Sequence, residues 1–408
     1  MRKTQVNVDR LWATLMTHAE IGKLESGGIC RETLTDVDKQ GRDLFVQWCR
    51  DESLDVGIDE MGTIYATRPG TNSSLDPIAI GSHLDTQPTG GKFDGILGVL
   101  GGLEVIRTLN RAGIQTRRPI TLINWTNEEG SRFQPSMVSS GVYAGVLTMA
   151  DVAEIADADG IGFFEALEKI GYTGNEPVGA RKFHSYLELH IEQGPVLEDE
   201  DTMIGVVTGA QAMSWNRFTV RGRESHAGTT PMSSRLDAMA SANRLIARSF
   251  DLGNGIDDGR ATVGVVRTEP ASHNTIPHTV HFTLDMRHPD DVELARMIAD
   301  LEVAVEEEHA LGFEVSREEF GTAPAVRFDE TCVDAIRDAA VEMGYSHRDI
   351  VSGAGHDAVY VSRVCPTAMV FTPCAGGISH NPIESITPEQ AKAGVDVLLG
   401  ATLRMADK

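Results

Sequence analysis

Histidine and acidic side chains follow the ends of several short apolar runs in this sequence. His83 and Asp85 come after one such run, and Glu128 and Glu129 come after the next. His190 closes a third run, His380 follows a fourth, and Asp94 precedes a glycine-rich stretch. Imidazole and carboxylate groups without thiolates suit Zn²⁺, Mn²⁺, Co²⁺ or Ni²⁺. Two such ions about 3.5–4 Å apart can activate a water molecule between them. The residue types therefore predict a metal site.

Each of these features also has an ordinary structural explanation when it is taken alone. A histidine at a strand end is usually a hydrogen-bonded polar residue, paired glutamates are usually solvated, and an aspartate before glycine is usually a turn or cap residue. The joint pattern favours the metal site, because ligands of open α/β sheets bind beyond the carboxyl ends of the strands. Solvated side chains have no reason to gather at that edge.

The apolar runs themselves predict strands that alternate with helices. Runs at 77–81, 120–125 and 186–190 end in polar turns, and a Gly/Leu/Val-rich stretch at 95–109 has apolar residues at helical spacing. The run at 368–371 is likewise apolar and is followed by a polar, glycine-rich segment. This alternation predicts an α/β fold with a mainly parallel sheet and helices on both faces.

Residues 211–325 have a different texture, in which β-patterned runs and two amphipathic helices follow the order β-α-β-β-α-β. That order is typical of the ferredoxin-like split βαβ sandwich, which is a self-contained module. We therefore predict a metal-binding catalytic domain built from 1–210 and 326–408, with a smaller domain at 211–325 inserted into it.

The charge and the cysteine content argue against several classes of protein. The 408 residues include 36 basic and 60 acidic side chains, which gives a net charge of −24. Nucleic acids and anionic membranes need a Lys/Arg-rich surface, so neither is an expected partner. No apolar run approaches the roughly 18 residues that cross a bilayer, and the first ten residues lack the apolar core of a signal peptide, so we expect a cytoplasmic protein. The five cysteines form no C-x-x-C pair, which argues against a disulfide framework and a thiolate zinc site.

A series of motifs along nearly the whole chain resembles the M20-type binuclear metallo-amidohydrolases. These motifs are 81–86 (GSHLDT), 92–99 (KFDGILGV), 127–133 (NEEGSRF), 188–195 (ELHIEQGP), 225–232 (SHAGTTPM), 274–277 (NTIP), 285–287 (DMR) and 379–382 (SHNP). The branch that they most resemble is the hydantoinase/carbamoylase group. It includes N-carbamoyl-L-amino acid hydrolases, β-ureidopropionases and allantoate amidohydrolases.

This resemblance implies how the metal ligands are shared. One ion is implied to be held by His83, Asp94 and His190. The other is implied to be held by Asp94, Glu129 and His380, with Asp94 as the bridge. The implied cofactor is two divalent metal ions per subunit, either Zn, Mn, Co or Ni. A histidine at position 190, in place of the acidic ligand of M20 peptidases, is a mark of the carbamoylase branch.

The resemblance also implies which residues move the proton and stabilise the developing charge. Glu128 is implied to be the general base, and the carboxylate of Asp85 is implied to accept the second N–H of His83 and so to fix the orientation of that ring. His226 is implied to donate to the oxygen that becomes negative during the reaction, and in this family it reaches the active site of the partner subunit. The inserted domain is thus implied to be a dimerisation and lid domain, and the chain to form a homodimer.

Four residues are implied to bind the substrate. Arg287 with Asn274 from the inserted domain, and Gln193 from the catalytic domain, are implied to bind the carboxylate of a small ureido substrate. The bidentate geometry of arginine suits that carboxylate. Gly355 is implied to offer backbone groups near the substrate. For His356 and Asp357, which follow it, a structural role in shaping the site explains the residues at least as well as direct contact with the substrate does.

The implied reaction is hydrolysis of the ureido C–N bond of an N-carbamoyl-L-amino acid to the amino acid, CO₂ and ammonia. β-Ureidopropionase and allantoate amidohydrolase activities are the alternatives within the same mechanism. Asn216, next to Arg217, lies where the allantoate enzymes are expected to carry an arginine, which lowers the weight of allantoate. The alternative from a different functional class is a metal-binding scaffold without catalytic activity. The presence of every implied ligand and of Glu128 argues against this alternative.

Overall fold

The computed structural model describes residues 4–407, which form two compact units. The larger unit contains the residues up to Gly209 together with those from Arg327 onward. The smaller unit is Ala210–Val326. The larger unit is therefore discontinuous in sequence.

The elements are numbered in chain order. The first part of the chain contains α1 (Val8–His18), α2 (Asp36–Asp51), β1 (Asp55–Ile58), β2 (Ile64–Arg68), β3 (Ile78–His83), α3 (Ile96–Ala112), β4 (Ile120–Trp125), α4 (Val138–Tyr143), α5 (Met149–Ala153), α6 (Phe163–Ile170), β5 (Ser185–Ile191), α7 (Val196–Asp199) and β6 (Ile204–Ala210). The middle part contains β7 (Ala212–Arg221), β8 (Ser225–His226), α8 (Ala238–Gly255), β9 (Arg260–Glu269), β10 (Thr275–Ile276), β11 (Thr279–His288), α9 (Asp291–Ala310) and β12 (Glu314–Ala323). The last part contains β13 (Val326–Arg327), α10 (Glu330–Met343), β14 (His347–Ser352), α11 (Asp357–Val361), β15 (Thr367–Thr372) and α12 (Pro388–Ala406).

A nine-stranded mixed sheet forms the centre of the larger unit. Its strand order is β1-β2-β4-β3-β5-β15-β6-β13, and β14 pairs with β6. The central strands β4, β3, β5 and β15 are parallel to one another. At the sides of this region, β2 pairs antiparallel with β4, β1 pairs antiparallel with β2, and β6 pairs antiparallel with β15. Every residue of the four central strands is buried. Because successive side chains of a strand point to opposite faces, both faces of this parallel region are covered.

Helix α3 begins where the chain passes close to the end of β3. Gly95 precedes the helix with φ 66°, and a Cβ at this position would lie 2.3 Å from the His83 ring. Glycine is therefore needed at 95 both for the backbone conformation and for the space. Helix α3 ends at Gly113, which is left-handed, and packs on β3 and β5 and against α12.

The smaller unit has a four-stranded antiparallel sheet and two long helices. Its long elements follow the order β7-α8-β9-β11-α9-β12, and the strands lie in the order β12-β7-β11-β9. Helices α8 and α9 and the buried side chains of β7 and β11 form one core, in which the Phe218 and Phe282 rings stack with centroids 4.7 Å apart. Strands β8 and β10 form a separate two-stranded ribbon.

The strongest sequence patterns match the observed elements. The predicted strands at 120–125 and 368–371 are confirmed as β4 and β15, and the predicted helix at 95–109 is confirmed as α3. Strands β1, β2, β6, β13 and β14 were not predicted. No helix within residues 4–407 combines the length and the apolar character that a bilayer crossing requires.

Candidate active site

The acidic and imidazole residues come together at one edge of the parallel strands. His83 is the last residue of β3, and His190 is the last but one of β5. Glu128 and Glu129 lie in the turn after β4, and His380 lies in the loop between β15 and α12. Because β4, β3, β5 and β15 are neighbours in the sheet, their carboxyl ends lie side by side.

Asp94 lies between two groups of metal-competent residues. Its Oδ1 is 3.1 Å from His190 Nε2 and 3.6 Å from His83 Nε2. Its Oδ2 is 3.3 Å from His380 Nε2, which in turn is 3.4 Å from Glu129 Oε2. Within each group, one candidate ligand atom per residue lies within 4.8 Å of the others. Asp94 therefore offers one oxygen to each group.

Backbone carbonyls orient the two buried histidines. His190 Nδ1 lies 2.9 Å from Ile191 O, and His83 Nδ1 lies 3.0 Å from Asp85 O. Since a carbonyl oxygen only accepts, each neutral ring carries its hydrogen on Nδ1 and turns the Nε2 lone pair toward Asp94. This is the form of imidazole that binds a metal ion, so the donor set fits divalent cations.

The predicted contact between the Asp85 carboxylate and His83 is wrong. Asp85 Oδ1 is 3.9 Å from His83 Nδ1, because the two carboxylate oxygens face the backbone N–H groups of Glu128 and Glu129 at 3.4 and 3.2 Å. Those N–H groups lie in a buried turn and need an acceptor. Asp85 therefore orients His83 through its main chain and orients the turn of the two glutamates through its carboxylate.

Glu128 is buried beside both groups but belongs to neither of the groups found among residues 4–407. Its Oε2 lies 3.6 Å from His83 Nε2. Burial and the nearby carboxyl groups of Asp357 and Glu129 raise the pKa of Glu128 well above its usual range. A buried carboxyl group of this kind, next to metal-competent residues, is suited to accepting and returning a proton.

The turn that presents Glu128 is held in an uncommon backbone conformation. Asn127 has φ 60°, which is in the left-handed region that non-glycine residues seldom adopt. Its Nδ2 donates to Phe133 O at 2.8 Å and to Pro135 O at 3.2 Å. The side chain of Asn127 thus ties the turn to the following loop.

Gln193 contacts Asp94 directly. Its Nε2 donates to Asp94 Oδ2 at 2.8 Å and lies 3.2 Å from Ser379 Oγ. Its Oε1 is buried and has no hydrogen-bond partner within the described part of the chain. The structure therefore places this predicted substrate-binding residue against Asp94.

Gly355 lies in an exposed loop just before α11. The next residue, His356, is buried, and its ring centroid is 4.5 Å from that of His190. His356 Nε2 lies 3.0 Å from Ser352 Oγ. His356 thus packs against a predicted ligand, whereas the Gly355 backbone is open to solvent.

In the smaller unit, His226 is the last residue of β8, and Asn274 directly precedes β10, the strand that pairs with β8. The backbone N–H of Ala227 donates to Asn274 O at 2.9 Å. His226 is exposed, and its Nδ1 accepts the backbone N–H groups of Gly228 and Thr229 at 3.0 and 3.2 Å. Since Nδ1 is an acceptor, the neutral ring carries its hydrogen on Nε2, which is therefore a donor.

Arg287 and Asp285 lie on the same face of β11, opposite the buried Met286. Arg287 Nη2 is 2.7 Å and Arg287 Nε is 3.0 Å from Asp285 Oδ2. This ion pair, which the sequence did not predict, fixes the direction of the guanidinium group.

Asn216 faces the buried side of the smaller unit. Its Oδ1 accepts from Arg317 Nη1 at 2.5 Å, and its Nδ2 donates to Ser214 O at 3.2 Å. Arg217 points to the other face of β7 and pairs with Glu318 at 2.8 Å. The position at which an allantoate enzyme is expected to carry an arginine is thus a buried, hydrogen-bonded asparagine.

Glu384 contacts the site but was not predicted from the sequence. It is 3% exposed, and its Oε1 lies 2.9 Å from Phe93 N and 3.2 Å from Asp94 N. Its Oε2 lies 2.9 Å from Ser379 Oγ. Burial and the Asp94 carboxylate raise the pKa of Glu384 to about 7. The sequence signal that could have indicated Glu384 is an acidic residue four positions after His380, in a loop that has no other acidic residue and no Lys or Arg.

Comparison with known proteins identifies the family. The sequence model of the family described as Peptidase family M20/M25/M40 matches residues 79–404 of this chain. This is most of the chain, and the chain therefore belongs to peptidase family M20/M25/M40.

Individual relatives define the branch. The N-carbamoyl-L-amino-acid amidohydrolase of Rhizobium meliloti is 48% identical over 99% of this chain and 97% of its own. The N-carbamoyl-L-amino acid amidohydrolase of Geobacillus stearothermophilus is 37% identical over 98% of both chains. A crystal structure of a hydantoinase/carbamoylase family amidase from Burkholderia multivorans has a TM-score of 0.96 and 50% identity over 99% of both chains. The predicted resemblance is confirmed, and the chain is a hydrolase that acts on amide C–N bonds.

Proposed function

We propose that the chain hydrolyses the ureido C–N bond of N-carbamoyl-L-amino acids and releases the L-amino acid, CO₂ and ammonia. The main support is Asp94, whose two oxygens face two separate groups of metal-competent residues. The relatives from Rhizobium meliloti and Geobacillus stearothermophilus bear the name of this activity and match nearly the whole chain.

The donor set fits two divalent metal ions per subunit. One ion would be held by His83, Asp94 and His190. The other would be held by Asp94, Glu129 and His380. All of these donors are nitrogen or oxygen atoms, which suits Zn²⁺, Mn²⁺, Co²⁺ or Ni²⁺. When bound, such a pair of ions lowers the pKa of a water molecule and polarises the carbonyl group of a substrate.

Removal of metal is expected to abolish activity, because the proposed reaction depends on a bound metal ion to activate the attacking water molecule. Ammonia release from an N-carbamoyl-L-amino acid should fall to the background rate after treatment with a chelator. Adding Zn²⁺, Mn²⁺, Co²⁺ or Ni²⁺ one at a time should restore it, and the metal that restores it best identifies the preferred ion. Full activity in a sample shown by mass spectrometry to contain no metal would contradict this proposal.

Glu128 is proposed to be the general base and then the general acid. Its carboxylate takes a proton from the attacking water and returns that proton to the nitrogen that leaves the carbonyl carbon. Its position supports this role, since it is next to the proposed ligand Glu129 and lies outside both groups.

His226 is proposed to donate from Nε2 to the carbonyl oxygen as that oxygen gains negative charge. The backbone N–H groups that fill Nδ1 support this proposal, because they leave Nε2 as the donor. The smaller unit is proposed to be a ferredoxin-like dimerisation and lid domain that presents His226 to a partner subunit. Strand β9 supports a homodimer, since it is an edge strand on which Val265 and Val266 are exposed.

The substrate carboxylate is proposed to bind Arg287 together with Asn274 and Gln193, with Gly355 offering backbone groups nearby. A guanidinium group binds a carboxylate through two parallel N–H···O bonds. The ion pair with Asp285 supports this role of Arg287, because it keeps the planar group in one direction.

Replacement of Arg287 by Ala is expected to reduce kcat/KM by roughly 30-fold to several thousand-fold, the range that corresponds to ~2–5 kcal/mol for a buried charge left without its partner. Metal content should not change. Arg221 provides a matched control, since it is also paired with an acidic residue on the same sheet, 3.8 Å from Glu314. Arg221→Ala should keep the activity of the unmodified chain. Equal losses in the two variants would remove Arg287 from the substrate site.

The substrate class is tested by ammonia release from a panel of compounds after metal reconstitution. N-Carbamoyl-L-amino acids should be the best substrates, ahead of β-ureidopropionate and allantoate. Neutral carbamoyl amides should be poor substrates, because they lack the carboxylate. Turnover of neutral ureas as fast as N-carbamoyl amino acids would contradict the proposed substrate class.

A further inference from the structure

We propose that Glu384 is a positioning residue that holds the backbone of Asp94 and the loop of His380 in one geometry, and thereby sets the metal affinity of the group Asp94, Glu129 and His380. The inference rests on the proposed function, since it concerns the same site.

The first connection of Glu384 is to the main chain of the bridging residue. Its Oε1 accepts the backbone N–H groups of Phe93 and Asp94, at 2.9 and 3.2 Å. These two N–H groups lie directly before α3 and are buried, so they need an acceptor from another part of the chain. Glu384 therefore fixes the peptide groups from which the Asp94 carboxylate projects.

The second connection is to the loop that carries His380. Glu384 Oε2 lies 2.9 Å from Ser379 Oγ, and the same Oγ lies 2.8 Å from Asp94 Oδ2. Ser379 thus joins the two carboxyl groups and is the residue immediately before His380. His380 itself has φ 53°, and its side chain is 51% exposed. Because the histidine is so exposed, its position depends on how its neighbour is held.

The third observation is that the fold reserves space for the Glu384 carboxyl group. A Cβ at Gly91 would lie 2.0 Å from its Cδ and from its Oε1. Gly91 is not among the glycines with positive φ, so a left-handed backbone does not explain the glycine. Its absent side chain is what allows Glu384 to approach the Phe93 and Asp94 amides.

The other metal group shares Asp94, but its two histidines are held differently. His83 and His190 belong to buried central strands and are oriented by the carbonyl groups of Asp85 and Ile191. Neither histidine has a hydrogen bond to Glu384 among the contacts of the described residues. Loss of Glu384 should therefore weaken the two groups unequally.

The decisive variant is Glu384→Ala, tested by titrating the metal-free full chain with Co²⁺ or Zn²⁺ and following bound metal by calorimetry and by the visible spectrum of Co²⁺. The ion of the group His83, Asp94 and His190 should lose less affinity, because Asp94 is the only member of that group whose backbone Glu384 holds. The dissociation constant of the other should rise about 10–100-fold, as expected when a residue that orients metal ligands is lost. Glu384→Gln should restore most of the affinity, because an amide oxygen still accepts both backbone N–H groups.

Gly91→Ala provides a second variant that keeps Glu384 in the chain. The added methyl group must displace the carboxyl group, which can move because it is the end of a flexible side chain. This variant should show the same unequal loss of metal affinity as Glu384→Ala. The double variant should be no weaker than either single one, because both remove the same contacts.

Asp59 supplies a matched control for general damage to the fold. It is also a buried carboxyl group that accepts two backbone N–H groups, those of Met61 and Thr63, and one hydroxyl group, that of Tyr65, all at 2.9 Å. Asp59→Ala should lower the melting temperature as much as Glu384→Ala does, and should leave both metal affinities unchanged.

Three results would overturn the assignment of Glu384. These are binding of both ions by Glu384→Ala with unchanged affinity, an equal weakening of both ions, and failure of Glu384→Gln to restore the affinity lost in Glu384→Ala. A failure of the proposed function is distinguishable, since the unmodified chain would then bind fewer than two ions or release no ammonia. If Glu384→Ala does not fold, Gly91→Ala and Glu384→Gln decide the question.

Discussion

Replacement of Glu128 by Gln is expected to lower kcat by about 10²–10⁴-fold, the usual contribution of a general acid–base group. Gln has nearly the same shape as Glu but cannot take a proton from water and return it to the leaving nitrogen. Since Glu128 lies outside both metal-competent groups, the variant should retain the metal content of the unmodified chain. Steady-state kinetics and metal analysis of the same preparation measure the two quantities.

Glu129→Gln is the matched control for this prediction, because it makes the same chemical change at the next residue. Glu129 Oε2 lies 3.4 Å from His380 Nε2, so this variant should lose metal from one group. If Glu128→Gln instead loses metal and keeps its rate per bound metal, the roles of the two glutamates are reversed.

Asp94→Ala is expected to be the most damaging change of any proposed ligand, with both ions and all measurable activity lost. The reason is that one carboxylate faces both groups, with Oδ1 toward His190 and Oδ2 toward His380. His380→Ala removes a ligand from one group only, so it should still bind one ion. Metal content per chain, measured after dialysis against a fixed concentration of free Zn²⁺, separates the two outcomes.

Retention of one tightly bound ion by Asp94→Ala would show that the carboxylate is not shared. Circular dichroism of the metal-free variant checks that the chain is folded, because Asp94 precedes α3 and its loss could disturb that helix.

The central elements of the fold were predictable because they are buried on all sides. Strands β3, β4, β5 and β15 consist of apolar runs followed by polar turns, and such runs are visible without any knowledge of their neighbours. Strand β13 has two residues and leaves no pattern. Strand β14 has the polar sequence HRDIVS and is only partly buried, so its pairing with β6 is decided by the rest of the sheet.

The members of the site were easier to predict than their contacts. Residue types and family motifs indicated His83 and Asp85, but they did not show whether a carbonyl or a carboxylate of Asp85 faces the ring. The backbone N–H groups of the following turn decide this, and their direction is a property of the folded chain. Glu384 was missed for a similar reason, since its partner Asp94 is 290 residues away in sequence.

The place of β15 in the sheet has a consequence for how the chain folds as it is synthesised. Strand β15 lies between β5 and β6, although it follows the whole smaller unit in sequence. Until it has left the ribosome, β5 and β6 each expose an unpaired edge, and such edges are prone to pair with other chains. His380 and Glu384 come later still. A nascent chain therefore cannot acquire its full set of proposed metal ligands before the sheet that supports them is complete.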